Sequence, residues 1–300
     1  MCTLCAFVHA TPSARCFPLP RPPAARPPLT VRARSRWCPL SDSDSSKDAG
    51  KLASLWELHT AQEELLAIGK AAGVAINFFH GRGGSIGRGG GPQHLALLSQ
   101  PAGSIDGAYR VTVQGEQIYA FFGSHGGAVH TLQSYAVSVL EHTVAPPALP
   151  TASQRALMQK LADASATSFQ QTIYHSAGGV FAQYFHTASP SSALASMNLG
   201  SRPAKRKAAG GIETLRAIPW VFAWTQMRLH LPVWLGGGEA LKAMADTPEG
   251  LAELRAMYAQ WPFFSALVDL VELELSKVRA NPPCPFVCLL TLPSPTYPYA

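Results

Sequence analysis

The chain has 300 residues, of which 47% are apolar and 14% are charged, and its formal net charge is +6. This length and composition are typical of a globular protein with a sizeable core, and no apolar run is long enough to span a bilayer. The six arginines of residues 1–40 account for the whole net charge, because basic and acidic residues balance over residues 41–300. Neither a membrane nor a nucleic-acid partner is therefore expected.

The two ends differ in composition from the body of the chain, residues 41–280. Residues 1–40 contain eight prolines and no acidic residue, and residues 281–300 contain six prolines and no charge. Because such segments bury little regular apolar surface, we predict a disordered tail at each end. The arginine-rich first tail is typical of an organelle transit peptide, but a mispredicted reading frame gives the same composition, and both interpretations stay open. All six cysteines lie in these ends, which favours an intracellular protein.

Apolar periodicity predicts that helices dominate the body. Stripes at helical spacing indicate helices near residues 52–66, 132–140, 157–169 and 267–278. Thr247 is followed by proline and glutamate, a typical helix start in which Thr247 caps the first turn.

Three apolar runs predict strands, at residues 74–79, 109–113 and 217–224. The third run is solidly apolar apart from Pro219, as expected for a strand covered on both faces. Short buried strands separated by longer helices predict a helix-rich α/β fold.

The first strand leads into a glycine-rich segment, HGRGGSIGRGGG, at residues 80–91. Seven of its twelve residues are glycine, so backbone amides can approach a ligand closely, and Arg82 and Arg88 supply forked donors for phosphate or carboxylate. The segment lacks the Gly-Lys-Ser/Thr of a Walker loop and the third glycine of the dinucleotide fingerprint. A flexible linker stays an alternative, but the embedded histidine and arginines favour an anion-binding loop.

The segment SDSSKDAG, residues 43–50, places carboxylates and an ammonium just before a predicted helix. These residues form either a helix-capping cluster, in which Asp48 takes part, or a ligand site. In a ligand site, Asp44 would hold a hard divalent cation and Lys47 an anionic substrate.

Two further segments carry positive charge. Residues 202–207 hold four basic side chains, which are typical of a solvated loop, with a nucleic-acid patch as the alternative. Arg216 directly precedes the third predicted strand, where its charge must remain solvated, form an ion pair or bind a ligand.

In this order, these segments resemble the phosphoenolpyruvate carboxylase family. The match extends over residues 41 to about 280, roughly a quarter of the length of a family member. It is carried by SDSSKDAG (43–50), FHGRGGSIGRGGG (79–91), GSRPAKR (200–206) and GIETLRAIPWVFAWTQMRLHLPVWLG (211–236), with support from LSQP (98–101), RVTVQGE (110–116) and WPFFS (261–265).

The resemblance implies the joining of phosphoenolpyruvate and bicarbonate to give oxaloacetate and phosphate, with Mg²⁺ or Mn²⁺ as the cofactor. It implies a (β/α)₈ barrel of the TIM type, elaborated with extra helices, of which residues 41–280 would form a part, and a site at the carboxyl ends of the strands. It also implies a cytosolic tetramer that feeds the tricarboxylic acid cycle. The strand that leads into the glycine-rich segment agrees with such a barrel.

Carried over by motif, the resemblance implies roles for seven residues. Asp44 matches a metal ligand, and Lys47 lies beside it in the site. His80 matches a histidine near the substrate, and Arg88 matches an arginine linked to catalysis and to inhibition by aspartate. The arginines that match substrate-binding positions are Arg82, Arg202 and Arg216.

This sequence also departs from the family pattern. The catalytic histidine motif and a second metal-binding carboxylate lie upstream of SDSSKDAG in the family, and neither occurs here, where the first acidic residue is Asp42. The family's distal segments are absent as well. We therefore expect an incomplete carboxylase that is inactive alone. The alternative is a non-catalytic fragment that associates with full-length subunits.

Overall fold

The computed structural model describes residues 36–40, 46–80, 93–113, 115–197, 205 and 211–276. Residues 1–35 and 277–300 lie outside the described residues, so only residues 36–40 of the two predicted tails are described. Within the described part, no helix has the length and apolar character needed to cross a membrane.

The described residues form twelve α-helices, which agrees with the predicted dominance of helices. In chain order they are α1 (Gly50–Ala71), α2 (Gln93–Leu98), α3 (Gly115–Phe122), α4 (His125–Val144), α5 (Ala152–Ile173), α6 (Val180–Ala188), α7 (Ser191–Ser196), α8 (Ala217–Gln226), α9 (Leu231–Trp234), α10 (Gly237–Ala245), α11 (Pro248–Gln260) and α12 (Pro262–Leu275).

Most predicted helices are confirmed. The stretches near residues 52–66, 132–140 and 157–169 lie within α1, α4 and α5, and α12 covers the last predicted helix up to Leu275. Helix α11 begins as predicted, because the Thr247 hydroxyl accepts a hydrogen bond from the Gly250 amide at 3.1 Å and Pro248 occupies the first helical position.

Three strands form one parallel sheet in the order β1 (Arg36–Leu40), β2 (Ile76–His80) and β3 (Arg110–Val111). Helix α1 connects β1 to β2, and α2 lies between β2 and β3, as parallel pairing requires. The register pairs Leu40 with His80 and His80 with Val111, so the carboxyl ends of all three strands lie at one edge. The helix-rich α/β class and the first two predicted strands are confirmed.

Strand β1 occupies residues 36–40, the last five residues of the predicted first tail. Pro39 contributed to the prediction of a tail there, since proline counts against a central strand. Among the described strands, β1 lies at the edge of the sheet, where a proline is tolerated.

The predicted strand at residues 217–224 is wrong, because this run forms helix α8. Pro219 fits its first turn, where backbone amides have no partner within the helix. The run is apolar throughout because Trp220, Val221, Ala223 and Trp224 are all buried. Periodicity alone does not separate a helix buried all round from a buried strand.

Two clusters of buried apolar side chains form the core of the described residues. The first cluster joins α1 and the first half of α5 to α10, α11 and α12, with Trp56, Met158 and Phe264 among its members. The second cluster joins the last half of α5 to α6 and α8, with Phe169 and Trp224 among its members. Helix α5 therefore contributes to both clusters.

Candidate active site

Three of the seven predicted site residues are described by the structure, namely Lys47, His80 and Arg216. The other four, which are Asp44, Arg82, Arg88 and Arg202, lie outside the described residues. By sequence, Asp44 follows the end of β1 by four residues and Arg82 follows the end of β2 by two.

His80 is the last residue of β2 and is buried. Its backbone carbonyl accepts a hydrogen bond from the Thr112 amide at 2.9 Å, which extends the pairing of β2 with the chain after β3. Its imidazole lies against the ring of Tyr109, with 4.9 Å between the ring centroids. Tyr109 in turn stacks on Tyr135 of α4 at 6.3 Å.

Burial, with a smaller contribution from Tyr109, raises the pKa of Tyr135. Its hydroxyl is therefore protonated at neutral pH. Tyr109 thus lies against the His80 ring, and Tyr135 stacks on Tyr109. Neither was predicted as part of the site, because an aromatic residue in a periodic run is typical of a core position.

Lys47 lies in the turn between β1 and α1 and is 4% exposed. Its ammonium donates a hydrogen bond to the backbone carbonyl of Glu213. Its own carbonyl accepts one from the Tyr174 hydroxyl at 2.7 Å, and the next carbonyl, that of Asp48, accepts one from the Gln170 side chain at 3.1 Å. A desolvated ammonium held in this way is suited to an anionic ligand.

Glu213 lies in a short 3₁₀ turn before α8, and its side chain is exposed. Its carboxylate accepts a hydrogen bond from the Gly211 amide at 2.8 Å. Hydrogen bonds from its own backbone amide and from that of Gly211 lower the pKa of Glu213, and the charges of Lys47 and Lys205 lower it further. Glu213 is thus an anion among cations at neutral pH. It lies within the 211–236 segment, but its role there was not predicted.

The structure brings three of the four resembling segments together at this point. Lys205, from residues 200–206, pairs with Leu215 in an antiparallel bridge. Lys47, from residues 43–50, meets the carbonyl of Glu213. Lys47 and Glu213 are 166 residues apart in sequence, so distant segments meet here, as the residues of one site must.

Arg216 occupies the capping position before α8, rather than the end of a strand as predicted. The side chain is half-buried, and its Nε atom is buried without a hydrogen-bond partner among the described residues. An unsatisfied buried donor costs about 1–3 kcal/mol, and a bound carboxylate or phosphate would remove that cost. This observation fits the predicted anion contact.

Two glycines let these segments approach α5. Gly50 has φ +78°, and a Cβ atom there would lie 3.0 Å from the Phe169 ring. Gly236 has φ +83°, and a Cβ atom there would lie 2.4 Å from the backbone oxygen of Ser165. Positive φ and contact this close both require glycine, so any larger residue would push the segments away from α5.

No group of three or more His, Cys, Asp or Glu side chains that could hold a metal ion occurs among the described residues. Asp44, the predicted ligand, is not among them. The predicted Mg²⁺ or Mn²⁺ therefore depends on the family.

The family model for phosphoenolpyruvate carboxylase matches residues 37–281. The chain belongs to the phosphoenolpyruvate carboxylase family. The matched residues include all of the described structure except Arg36, and their first residue lies in β1.

Named relatives agree with this assignment. Phosphoenolpyruvate carboxylases of Phaseolus vulgaris and Glycine max are 49% and 50% identical to the chain over 237 and 236 residues. Phosphoenolpyruvate carboxylase 3 of Arabidopsis thaliana is 49% identical over 236 residues. Each alignment covers 78% of this chain but 24% of the relative. The chain thus spans about a quarter of the length of the curated relatives it matches.

Proposed function

We propose that this chain carries part of the active site of a phosphoenolpyruvate carboxylase, which converts phosphoenolpyruvate and bicarbonate to oxaloacetate and phosphate. The observation that supports this most directly is the hydrogen bond between the buried ammonium of Lys47, in residues 43–50, and the carbonyl of Glu213, in residues 211–236. Arg216, whose Nε has no hydrogen-bond partner among the described residues, lies two residues after the 3₁₀ turn that contains Glu213 and adds a second cation for an anionic substrate.

The chemistry places specific demands on such residues. Bicarbonate attacks the phosphoryl group and gives carboxyphosphate and the pyruvate enolate, and the enolate then captures the CO₂ that carboxyphosphate releases. Cations that are already in place lower the cost of this charge rearrangement, and burial keeps water from quenching the enolate. Lys47 and Arg216, with Arg82 and Arg202, are proposed to hold the phosphate and carboxylate groups. His80 and Arg88 are proposed to act beside the reacting atoms.

The family's divalent cation, Mg²⁺ or Mn²⁺, would stabilise negative charge that develops on the enolate oxygen. Asp44 is the residue of this chain that we propose to hold it. Carboxylate oxygen is the ligand type that these hard cations prefer.

The parallel sheet is proposed to be part of a (β/α)₈ barrel. In such barrels the site lies at the carboxyl ends of the strands, and His80 occupies such an end here. The family also suggests a cytosolic tetramer that supplies the tricarboxylic acid cycle, with organelle targeting by residues 1–40 as the alternative location.

Binding of phosphoenolpyruvate to the purified chain, measured by isothermal titration calorimetry, tests the proposal. We expect saturable binding that Arg216→Gln weakens by roughly ten- to a hundredfold, the effect of losing a charge-assisted hydrogen bond. Arg255→Gln is the matched control, because Arg255 is exposed on α11 and lies outside these segments. Absence of binding by the unaltered chain would contradict the proposal.

Turnover is a separate measurement. We expect no oxaloacetate from the 300 residues alone, measured through malate dehydrogenase and NADH oxidation, because they span 24% of the length of the relatives. Oxaloacetate formation at a rate that depends on bicarbonate would show that these residues suffice.

A second candidate function is that of a non-catalytic fragment that assembles with complete carboxylase subunits. The exposed apolar side chains of α4, which include Leu132, Val137, Leu140 and Val144, favour it. Co-purification of the chain with a complete carboxylase would support this function if Leu140→Gln with Val144→Gln abolished it. A chain that stays monomeric beside a complete carboxylase would rule it out.

A further inference from the structure

The last half of α5 lies outside every segment that carries the family resemblance, yet it contacts two of them. These contacts are made by three residues of α5 and by the residue that follows it: Ser165, Phe169, Gln170 and Tyr174. Successive members are four, one and four residues apart, so they occupy neighbouring positions along one side of the helix.

The first contact is with the turn that carries Lys47. The Tyr174 hydroxyl donates to the Lys47 carbonyl at 2.7 Å, and the Gln170 side chain donates to the Asp48 carbonyl at 3.1 Å. The turn is closed by a hydrogen bond of 2.7 Å from the Gly50 amide to the Ser46 carbonyl. Two side chains of α5 therefore hold two consecutive backbone carbonyls of a single turn.

Tyr174 is suited to this task at any physiological pH. Burial, together with the negative charges of Asp48 and Glu213, raises the pKa of Tyr174 to about 12. Its hydroxyl therefore stays protonated and donates.

The second contact is with the end of the 211–236 segment. Gly236 lies so close to Ser165 and Phe169 that a Cβ atom would overlap the backbone of α5. Phe169 also packs against Gly50, the first residue of α1. One short stretch of α5 thus sets the position of the Lys47 turn and of the 211–236 segment.

We propose that Tyr174, assisted by Gln170, is a positioning residue for Lys47. By holding the carbonyls of Lys47 and Asp48, these side chains fix the turn so that the Lys47 ammonium reaches the Glu213 carbonyl. Tyr174 acts on the site through Lys47 rather than by touching substrate. What Lys47 then does with a ligand depends on the proposed carboxylase function, whereas its position does not.

Reactivity of the Lys47 amine measures this positioning without any ligand. The purified chain is treated with a limiting amount of an amine-reactive reagent, and the labelling rate of each lysine is measured by mass spectrometry. In the unaltered chain, we expect slow labelling of buried Lys47 and fast labelling of exposed Lys70 and Lys160. In Tyr174→Phe, we expect Lys47 labelling to become roughly five- to tenfold faster, with Lys70 and Lys160 unchanged, because a single hydrogen bond is lost.

Tyr184→Phe is the matched control, since Tyr184 is exposed on α6 and its variant should leave the Lys47 rate unchanged. Gln170→Ala removes the second hydrogen bond from an exposed side chain, so it tests the same turn if Tyr174→Phe fails to fold. We expect a smaller increase in this variant and the largest increase in the double variant. An unchanged Lys47 rate in the folded double variant would overturn the proposal.

Calorimetry with phosphoenolpyruvate separates this proposal from the proposed function. If the unaltered chain binds phosphoenolpyruvate, we expect Tyr174→Phe to raise its Kd by a factor similar to the rise in labelling rate. Faster labelling of Lys47 without phosphoenolpyruvate binding by any variant would support the positioning role and contradict the carboxylase site. Equal Kd values together with equal labelling rates would contradict the positioning role alone.

Discussion

Helices α4 and α5 have nearly the same length, 20 and 22 residues, but they bury opposite kinds of side chain. Helix α5 buries a stripe from Leu157 to Ile173 that is apolar apart from Ser165. Helix α4 buries Ser138 and His142, whereas its Leu140 and Val144 are 62% and 82% exposed. The apolar face of α5 is therefore buried in the described structure, whereas that of α4 is exposed.

The contacts of α4 explain how a helix can pack through its polar side. The His142 ring hydrogen-bonds with the backbone oxygen of Gln100 at 3.2 Å, and the Thr143 hydroxyl accepts from the Gly107 amide at 3.0 Å. These contacts attach α4 to the loop before β3. The comparison teaches that apolar periodicity predicts a helix and its apolar face, but does not predict which side faces the described core.

The first prediction, with the largest expected effect, compares how much unfolding free energy each helix loses when one large apolar side chain is truncated. Phe169→Ala removes a fully buried ring that packs between Gly50 and Gly236, and we expect a loss of about 3–5 kcal/mol of unfolding free energy. Leu140→Ala on α4 is the matched control, with an expected change within about 0.5 kcal/mol. Urea unfolding followed by circular dichroism measures both. Equal losses would show that the exposed face of α4 contributes to the fold.

The difference between a local sequence pattern and burial by distant elements also decides how much of the fold could be predicted. The strands near residues 74–79 and 109–113 and most helices followed from periodicity and capping residues. The run at residues 217–224 did not, because an apolar, largely buried helix shows little periodic contrast and its Pro219 suits a helix start as well as a strand end. Burial by distant elements is a tertiary property that a local pattern does not contain.

For the candidate site, motif resemblance predicted Lys47, His80 and Arg216 as neighbours of a substrate, and the structure brings Lys47 to the 3₁₀ turn that precedes Arg216. Tyr174 was missed because nothing local distinguishes it, as its part in the site comes from a hydrogen bond to a residue 127 positions away. Asp44, Arg82, Arg88 and Arg202 stay predictions.

The second prediction concerns the loss of stability in acid caused by a buried histidine of α1, the helix that packs with α5 in the first core cluster. His59 of α1 lies among Trp56, Trp261 and Phe263. Burial lowers its pKa to about 4, against an opposing effect of Glu63 and with a small contribution from Arg155 of α5. The unfolded chain therefore binds this proton more readily than the folded chain.

The stabilisation is present above the ordinary histidine pKa of 6.5 and is lost as the pH falls toward 4. We expect His59 to account for a decrease of about 3 kcal/mol in unfolding free energy over that interval. His59→Gln should remove this part of the decrease, whereas His130→Gln, at an exposed position of α4, should leave it. Urea unfolding at pH 7, 5.5 and 4 measures it. An undiminished decrease in His59→Gln would contradict the assignment.

The third prediction concerns the ion pair that joins α5 to α1. Both terminal nitrogens of Arg155 lie 2.7 Å from the carboxylate oxygens of Glu63. Both groups are partly exposed, so water screens the pair, and we expect a coupling of about 0.5–1 kcal/mol from a double-mutant cycle with Arg155→Ala and Glu63→Ala. Arg155→Lys should lose part of it, because an ammonium does not form the paired hydrogen bonds. A coupling that stays constant in high salt would count against this interpretation.

The smallest expected effect on stability comes from making the exposed face of α4 polar. Leu140→Gln with Val144→Gln should change the unfolding free energy by no more than about 0.5 kcal/mol, because both side chains already contact solvent. The same variant should bind less of a fluorescent apolar dye and self-associate less in analytical ultracentrifugation, since an apolar face of this kind favours association. Ala156→Gln, at an exposed position of α5, is the control that should alter neither dye binding nor association. A loss of 2 kcal/mol or more in the α4 variant, about the contribution of a buried leucine, would mean that another part of the chain covers this face. Helices α4 and α5 would then both bury their apolar faces and would differ only in what covers them.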